Sequence, residues 1–311
     1  MPQSELDVVT AAHLMRMGHT SRSISRLVSD GRLTRIRHGV YAPSDGWSRA
    51  PAVERQVAFI RATIAQPSAS AVVSHLSAAA LHRLPLMYDW PSRVHVLTPG
   101  APGGSSSRLL IAHRAPRPPA ALDVIDGVTV TDLTTTLVDV ASTSAHETSV
   151  PMLDHALRGS GAQISERTRD RWVDQLRELA PSSGATRAFR AFAFATPLAD
   201  SPGESLSRVL IAKGGFAEPT LQRRLEVGGR IYFADFAWDG VLGEYDGRDK
   251  YRDPSMLKGR SMEQAYRDEK RREDSIRLAT GCRFVRWGAE EVFHPQTLWK
   301  LLRDGGVPRG T

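Results

Sequence analysis

The residues with the most chemistry in them lie between positions 235 and 246. Asp239-Gly240 separates two strand-like runs, Arg230–Trp238 and Val241–Asp246, and Asp-Gly is a favoured two-residue hairpin turn. With that turn, Trp238 faces Val241, Ala237 faces Leu242, Phe236 faces Gly243 and Asp235 faces Glu244. Asp235 and Glu244 become cross-strand neighbours with Cβ atoms about 4.5–5.5 Å apart, and Asp246 shares their face because side chains repeat every second residue. Like charges in that position destabilise a sheet. A hard cation would reverse the penalty: Mg²⁺ is held by one or two carboxylates, with water and substrate phosphate completing its shell. It can then activate water and stabilise charge on a scissile phosphate. A solvated face, or pairing with arginine, is the plainer alternative.

Gly203-Glu204, Ala234-Asp235-Phe236 and Gly243-Glu244-Tyr245-Asp246-Gly247, with the distal run EKRREDSIRLATGCRFVRW, resemble the PD-(D/E)XK restriction-endonuclease-like superfamily. The branch they are most similar to is that of the very-short-patch-repair (Vsr-like) endonucleases, over about 110 residues. The resemblance implies a helix acid, a strand Asp and a hairpin Glu around Mg²⁺ (Mn²⁺ as a substitute). Here these are Glu204, Asp235 and Glu244, with Asp235 and Glu244 as the metal ligands. The pattern's final Lys is replaced by Asp246, which would bind a second metal or orient water. Lys250 and Lys270 are the candidates for the lysine's role, with Lys270 preferred. The implied activity is endonucleolytic hydrolysis of DNA phosphodiesters.

Each of these residues has a structural alternative. Ser201-Pro202-Gly203-Glu204 reads as a capping box with Pro at the first helical position, and that alone accounts for the acid. The helix YRDEKRREDSIRL places Glu273 and Arg277 four apart as a surface ion pair. Lys270, Arg271 and Arg272 on it are either solvated or phosphate contacts.

These residues need a scaffold, and the chain divides into three zones. Residues 196–311 give the order helix, three strands, long helix, strand, helix, as expected of an α/β sandwich around a mixed sheet. Residues 46–195 give a helix from Pro51 to Ala65, a second over SHLSAAALHRL, strands at Arg93–Leu97, Leu109–Ala112 and Val128–Val130, the helix DLTTTLVDVAS, and helices from about 150 to 195. Residues 1–45 give a helix capped at Ser4, a second helix SRSISRLVSD capped at Thr20 or Ser21, and the basic ribbon RLTRIRHGVYA. Two short helices, a tight turn and a ribbon are the elements of a winged helix-turn-helix.

The second helix and RIRHGVYA resemble the N-terminal winged-helix region of AbiEi-type antitoxins of type IV toxin–antitoxin systems, and VSHLSAAALHRLPL, RVHVLTP and VTVTDLTTTLVDVA fit the continuation of that family. The N-terminal residues of the second helix, Ser21, Arg22, Ser23, Ser25 and Arg26, would meet base edges. Arg35, Arg37 and His38 would form a basic wing for phosphate or the minor groove. Solvated arginines on a small helical domain are the alternative. His75, His82, His95 and His113 stand 7, 13 and 18 apart, which matches no close-spaced zinc-ligand pair.

Composition agrees with a phosphate-bearing partner. Lys+Arg 41 against Asp+Glu 34 leaves +7, which favours nucleic acid without proving it. One cysteine, Cys282, excludes an internal disulfide, so a reducing cytoplasm is expected. No apolar run suits a membrane span, no basic-then-apolar leader opens the chain, and no heptad marks an oligomer interface. The combined expectation is an α/β multidomain DNA-binding protein: a winged helix-turn-helix for targeting, a middle α/β domain and a C-terminal restriction-endonuclease-like domain. Its partners would be DNA and a possible cognate toxin. The rival expectation is a non-enzymatic antitoxin-like transcriptional regulator on a degenerate nuclease fold, which arginines already neutralising the carboxylates would favour.

Overall fold

The computed structural model describes residues 6–64, 71–99, 106–115, 121–159, 170, 172–174, 176–177, 184–247 and 262–310. The chain forms two compact units, Met1–Thr143 with Leu179–Pro181, and Ser144–Glu178 with Ser182–Thr311.

The first unit opens with β1 (Val9–Thr10) and α1 (Ala11–Arg16). The helix is capped by Thr10, whose hydroxyl accepts from the His13 N–H at 3.1 Å; Ser4, the cap expected from the sequence, lies outside the described residues. Val9 and Thr10 are β-branched and pair with Tyr41 and Val40, and a residue held in a ladder cannot lie inside a helix. α2 (Ser21–Ser29) is capped by Thr20, and Ser23 returns a bond to the Thr20 N–H as a reciprocal box. β2 (Leu33–Arg37) and β3 (Val40–Pro43) form an antiparallel ribbon. Gly39 makes its tight turn at φ 73°, a conformation open to glycine at little cost. Two helices follow, α3 (Ser44–Arg49) and α4 (Ala52–Ile64).

The rest of this unit is a five-stranded mixed sheet, ordered β6-β5-β4-β8-β7. Its strands are β4 (Val72–Val73), β5 (Val94–Pro99), β6 (Leu110–Ala115), β7 (Leu122–Ile125) and β8 (Val128–Thr131). Helices α5 (His75–Leu81) and α6 (Leu133–Thr143) belong to the same unit. Ile60, Val73, Leu81, Val94, Val96 and Val130 form its dry centre. β4 and β7 leave little trace in the sequence. One is two residues long, and the other is an edge strand that exposes Leu122 and Val124, so neither carries a period-2 burial signal.

The second unit begins with α7 (His146–Gly159) and α8 (Ala185–Phe194), which precede α9 (Pro202–Lys213). The sequence attached the helices before 195 to the middle zone; here they belong with the C-terminal residues, α7 packing on α9. Strands β9 (Thr220–Val227), β10 (Arg230–Trp238), β11 (Val241–Tyr245) and β12 (Arg283–Trp287) form a sheet ordered β12-β11-β10-β9. Its pairs are antiparallel except β11–β12. Between β11 and β12 runs α10 (Met262–Thr280), and α11 (Ala289–Phe293) and α12 (Pro295–Asp304) end the unit. Ile276 of α10 packs with the cross-strand neighbours Ala237 and Leu242 on one face of the sheet. On the other face Phe236 lies 5.1 Å from the Trp287 ring, and the Trp287 indole donates to Ser207 of α9 at 2.8 Å. Gly243 is required there, since a Cβ would come within 2.7 Å of the Trp287 ring. The expected order and the mixed sheet are both present, with helices on both faces. No helix among the described residues is long and apolar enough to cross a membrane.

Candidate functional site

α2 presents a polar, basic surface near the N-terminus. Ser21, Arg22, Ser25 and Arg26 are exposed, and 22, 25 and 26 share one helix face at i, i+3, i+4 spacing. Arg26 carries only a loose pair with Asp30, at 3.8 Å. Ser23 is different: its hydroxyl is engaged with Thr20 in the cap, so it shapes the helix start and has little left to offer a base. On the ribbon, Arg35 is exposed, whereas Arg37 turns inward and donates to the carbonyl oxygens of Ala62 and His38. Arg37 therefore ties the ribbon to the end of α4, and a phosphate would have to compete with those bonds.

In the second unit the expected hairpin register is realised, with Phe236 opposite Gly243, Ala237 opposite Leu242 and Trp238 opposite Val241. Asp235 and Glu244 follow at the end of this ladder. On β9, Gln222 lies between the residues paired with Ala234 and Phe236, and it adopts a left-handed backbone, φ 48°. That conformation costs a non-glycine residue on the order of 1–2 kcal/mol, and strain of this kind gathers at functional sites. The Gln222 amide donates to Glu204 Oε2 at 3.3 Å, and Asp235 Oδ2 accepts the Tyr245 N–H at 2.9 Å. Gly203 lies so close to the Tyr245 ring that a Cβ would approach within 2.2 Å. Glu204 and Gln222 are thus linked across α9 and β9, Asp235 of β10 holds the Tyr245 N–H, and Gly203 of α9 lies against the Tyr245 ring, whereas the Glu244 side chain turns to Arg272 of α10 and Arg286 of β12.

The carboxylates in this corner are engaged. Glu204 is buried and accepts from the Ser201 hydroxyl and the Asp200 N–H, both at 2.8 Å, so the capping role is real. Both oxygens of Glu244 lie 2.9 Å from Arg272 Nη2, and Oε2 lies 2.8 Å from Arg286 Nη2. A hard cation asks for carboxylate oxygens turned to one point. Among the described residues no three His, Cys, Asp or Glu side chains are grouped to hold a metal ion. As arranged, the donor set does not fit Mg²⁺, because two guanidinium groups already supply Glu244 with the positive charge a cation would bring. Asp246 sits just beyond β11, where its N–H donates to the Trp287 carbonyl at 2.8 Å. Lys270 lies on α10, with its side chain outside the described residues, and Lys250 lies outside them entirely.

Glu244→Gln is expected to lower the stability of this unit by about 1–3 kcal/mol, because two partly buried arginines lose a charged acceptor. Urea unfolding of the variant measures this. An unchanged midpoint would mean that solvent screens both pairs.

The sequence did not reveal a histidine cluster in the first unit. His75, His95 and His113 come together from α5, β5 and β6. The rings of His75 and His113 stack at 3.6 Å, and His113 Nε2 lies 2.9 Å from His95 Nδ1. His75 Nδ1 lies 2.9 Å from Ser74 Oγ and 3.5 Å from Asp139 Oδ2. Burial, aided by repulsion between the rings, lowers the His75 pKa to about 2 and that of His95 to about 4. Burial also raises Asp139 to about 7. His82 stays apart, bonded to the Thr131 carbonyl at 2.8 Å. Linear spacing misses the cluster because β5 and β6 are parallel neighbours, pairing Leu97 with His113. The alternation in VHV and AHR was the available signal.

Residues 3–44 match a family model described as a transcriptional regulator, AbiEi antitoxin. The match covers α1, α2 and the three-stranded ribbon. No curated protein matches the chain.

Proposed function

We propose that the chain is a DNA-binding transcriptional regulator of the antitoxin type. The carrying observation is that the regulator-family match at 3–44 coincides with the segment whose second helix exposes Arg22, Ser25 and Arg26 on one face. In this reading the segment is a winged helix-turn-helix, with α2 entering the major groove and the β2–β3 ribbon as the wing. Arg35 contacts the backbone, and Arg37 holds the wing in place. A cognate toxin is the protein partner that the antitoxin match suggests. Arg22→Ala and Arg26→Ala are each expected to weaken binding to duplex DNA from upstream of the chain's own gene about 5- to 100-fold. Affinity should also fall steeply with added salt. Gel-shift titrations at two salt concentrations measure both. Equal binding by the wild type and both variants would overturn the reading.

A second reading, metal-dependent endonuclease action in the second unit, is favoured by the strained Gln222, whose amide holds Glu204, and by Asp235, which holds the Tyr245 N–H. It requires Glu244 to exchange its guanidinium partners for Mg²⁺ or Mn²⁺ beside Asp235, which would release Arg272 and Arg286 toward a phosphate. Supercoiled DNA incubated with Mg²⁺, Mn²⁺ or EDTA tests it. Metal-dependent cutting that vanishes in Asp235→Ala establishes the nuclease. Absence of cutting, alongside intact duplex binding, leaves the regulator.

A further inference from the structure

A cleft of about 840 Å³ in the first unit lies beside the ribbon, within the size range of small-molecule sites. One wall is basic. Arg37 and Arg55 are anchored to backbone carbonyls, Arg55 to Ala50 at 2.9 Å, so they place fixed positive charge in the wall. Arg35 and Arg108 are exposed and have no ion-pair or side-chain hydrogen-bond partner among the described residues. The other surfaces are aromatic: Tyr88 is 43% exposed, Trp47 is half-buried, and Trp90 backs onto the core cluster, which fixes its ring. Asp89 is the one acid among the described lining residues.

Aromatic faces beside exposed guanidinium groups suit one ligand chemistry, a flat base carrying a phosphate. A base stacked inside a duplex cannot present its face, so the ligand must be an unstacked nucleotide. We propose that the cleft bounded by Arg35, Trp47, Tyr88, Trp90 and Arg108 binds a nucleotide, its base against the aromatic side chains and its phosphate on the arginines. The nucleotide comes either free or from a single-stranded stretch of nucleic acid. The inference rests on the DNA-binding reading only in that Arg35 belongs to the proposed wing, so a strand bound there would pass the mouth of the cleft.

The test uses the full chain with adenosine 5′-monophosphate, a labelled eight-residue oligothymidylate, and the duplex described above, read by tryptophan quenching and anisotropy. Tyr88→Ala and Arg108→Ala change exposed side chains. Each is expected to weaken the oligothymidylate or the mononucleotide about fivefold or more and to leave duplex binding through Arg22 and Arg26 unchanged. Equal affinity for the two ligands identifies a free nucleotide as the source, and affinity rising with strand length identifies a strand. If neither ligand binds, or both variants bind as the wild type does, the proposal is overturned. If duplex binding fails while nucleotide binding still depends on Tyr88 and Arg108, the regulator reading falls and the cleft stands.

Discussion

Asp154→Ala is expected to cost the second unit about 3–5 kcal/mol, the range for breaking a buried ion pair from one side. Asp154 on α7 is fully buried and Arg208 on α9 nearly so, with Arg208 Nη1 2.7 Å from Asp154 Oδ2. The other carboxylate oxygen accepts the Thr196 N–H at 2.8 Å. Arg208 Nη2 donates to the Phe194 carbonyl at 2.7 Å, and its guanidinium lies 4.5 Å over the Phe194 ring. Alanine at 154 would leave a guanidinium in a dry site with one carbonyl and one ring for company, and would orphan the Thr196 N–H. Burial raises the Asp154 pKa even against the pull of Arg208, so much of the pair's attraction offsets its own desolvation. The double variant Asp154→Leu/Arg208→Met should therefore lose less than Asp154→Ala alone. Urea unfolding of the full chain, with hydrogen exchange read on α7 and α9, measures both. A single variant no less stable than the double would show that Arg208 finds solvent once its partner is gone.

That pair was invisible in the sequence: Asp154 and Arg208 are far apart along the chain, and neither sits in a local pattern. The hairpin lies at the opposite extreme. Asp239-Gly240 fixes its own turn, with Gly240 at φ 69°, and the register of the two strands follows from that dipeptide. The Ser201–Glu204 cap and the Glu273–Arg277 pair were legible for the same reason, since both act within one helical turn. What local rules could not supply was the choice among arginines. α10 offers Arg271, Arg272 and Arg277, and it is tertiary packing that turns Arg272 to Glu244 while Arg277 stays with Glu273. The hairpin register around these carboxylates was thus legible along the chain, but their charge pairing became visible only once β12 brought Arg286 alongside. On the ribbon, Arg35 and Arg37 were both expected on a basic wing, yet the register shifts between them. One arginine reaches solvent and the other the end of α4.

Asp139→Asn is expected to change how the first unit responds to acid. Asp139 faces His75 from α6, with Asp132 raising its pKa further and His95, His113 and Ser74 completing the surroundings of His75. Its carboxyl titrates near pH 7 in the folded chain against an ordinary value of 3.8. Between about pH 7 and 4 the folded state therefore holds a proton that the unfolded chain does not, and acidification through that window favours folding. The histidines act in the opposite sense. His75 and His95 refuse protons that the unfolded chain accepts below about pH 6.5, so acidification costs stability, roughly 2 kcal/mol for His75 at pH 5. In the wild type the two slopes partly cancel. Asparagine removes the first and keeps the second, and its amide can donate to the imidazole. The variant should be more stable than the wild type by about 2–4 kcal/mol at pH 8, with the advantage shrinking toward pH 4 and a steeper loss of stability between pH 6.5 and 5. Urea unfolding at pH 8, 6.5 and 5, with exchange read on α5 and α6, gives both curves. A constant gap between them would place the Asp139 pKa near its ordinary value and leave the histidines alone to set the acid limit of the unit.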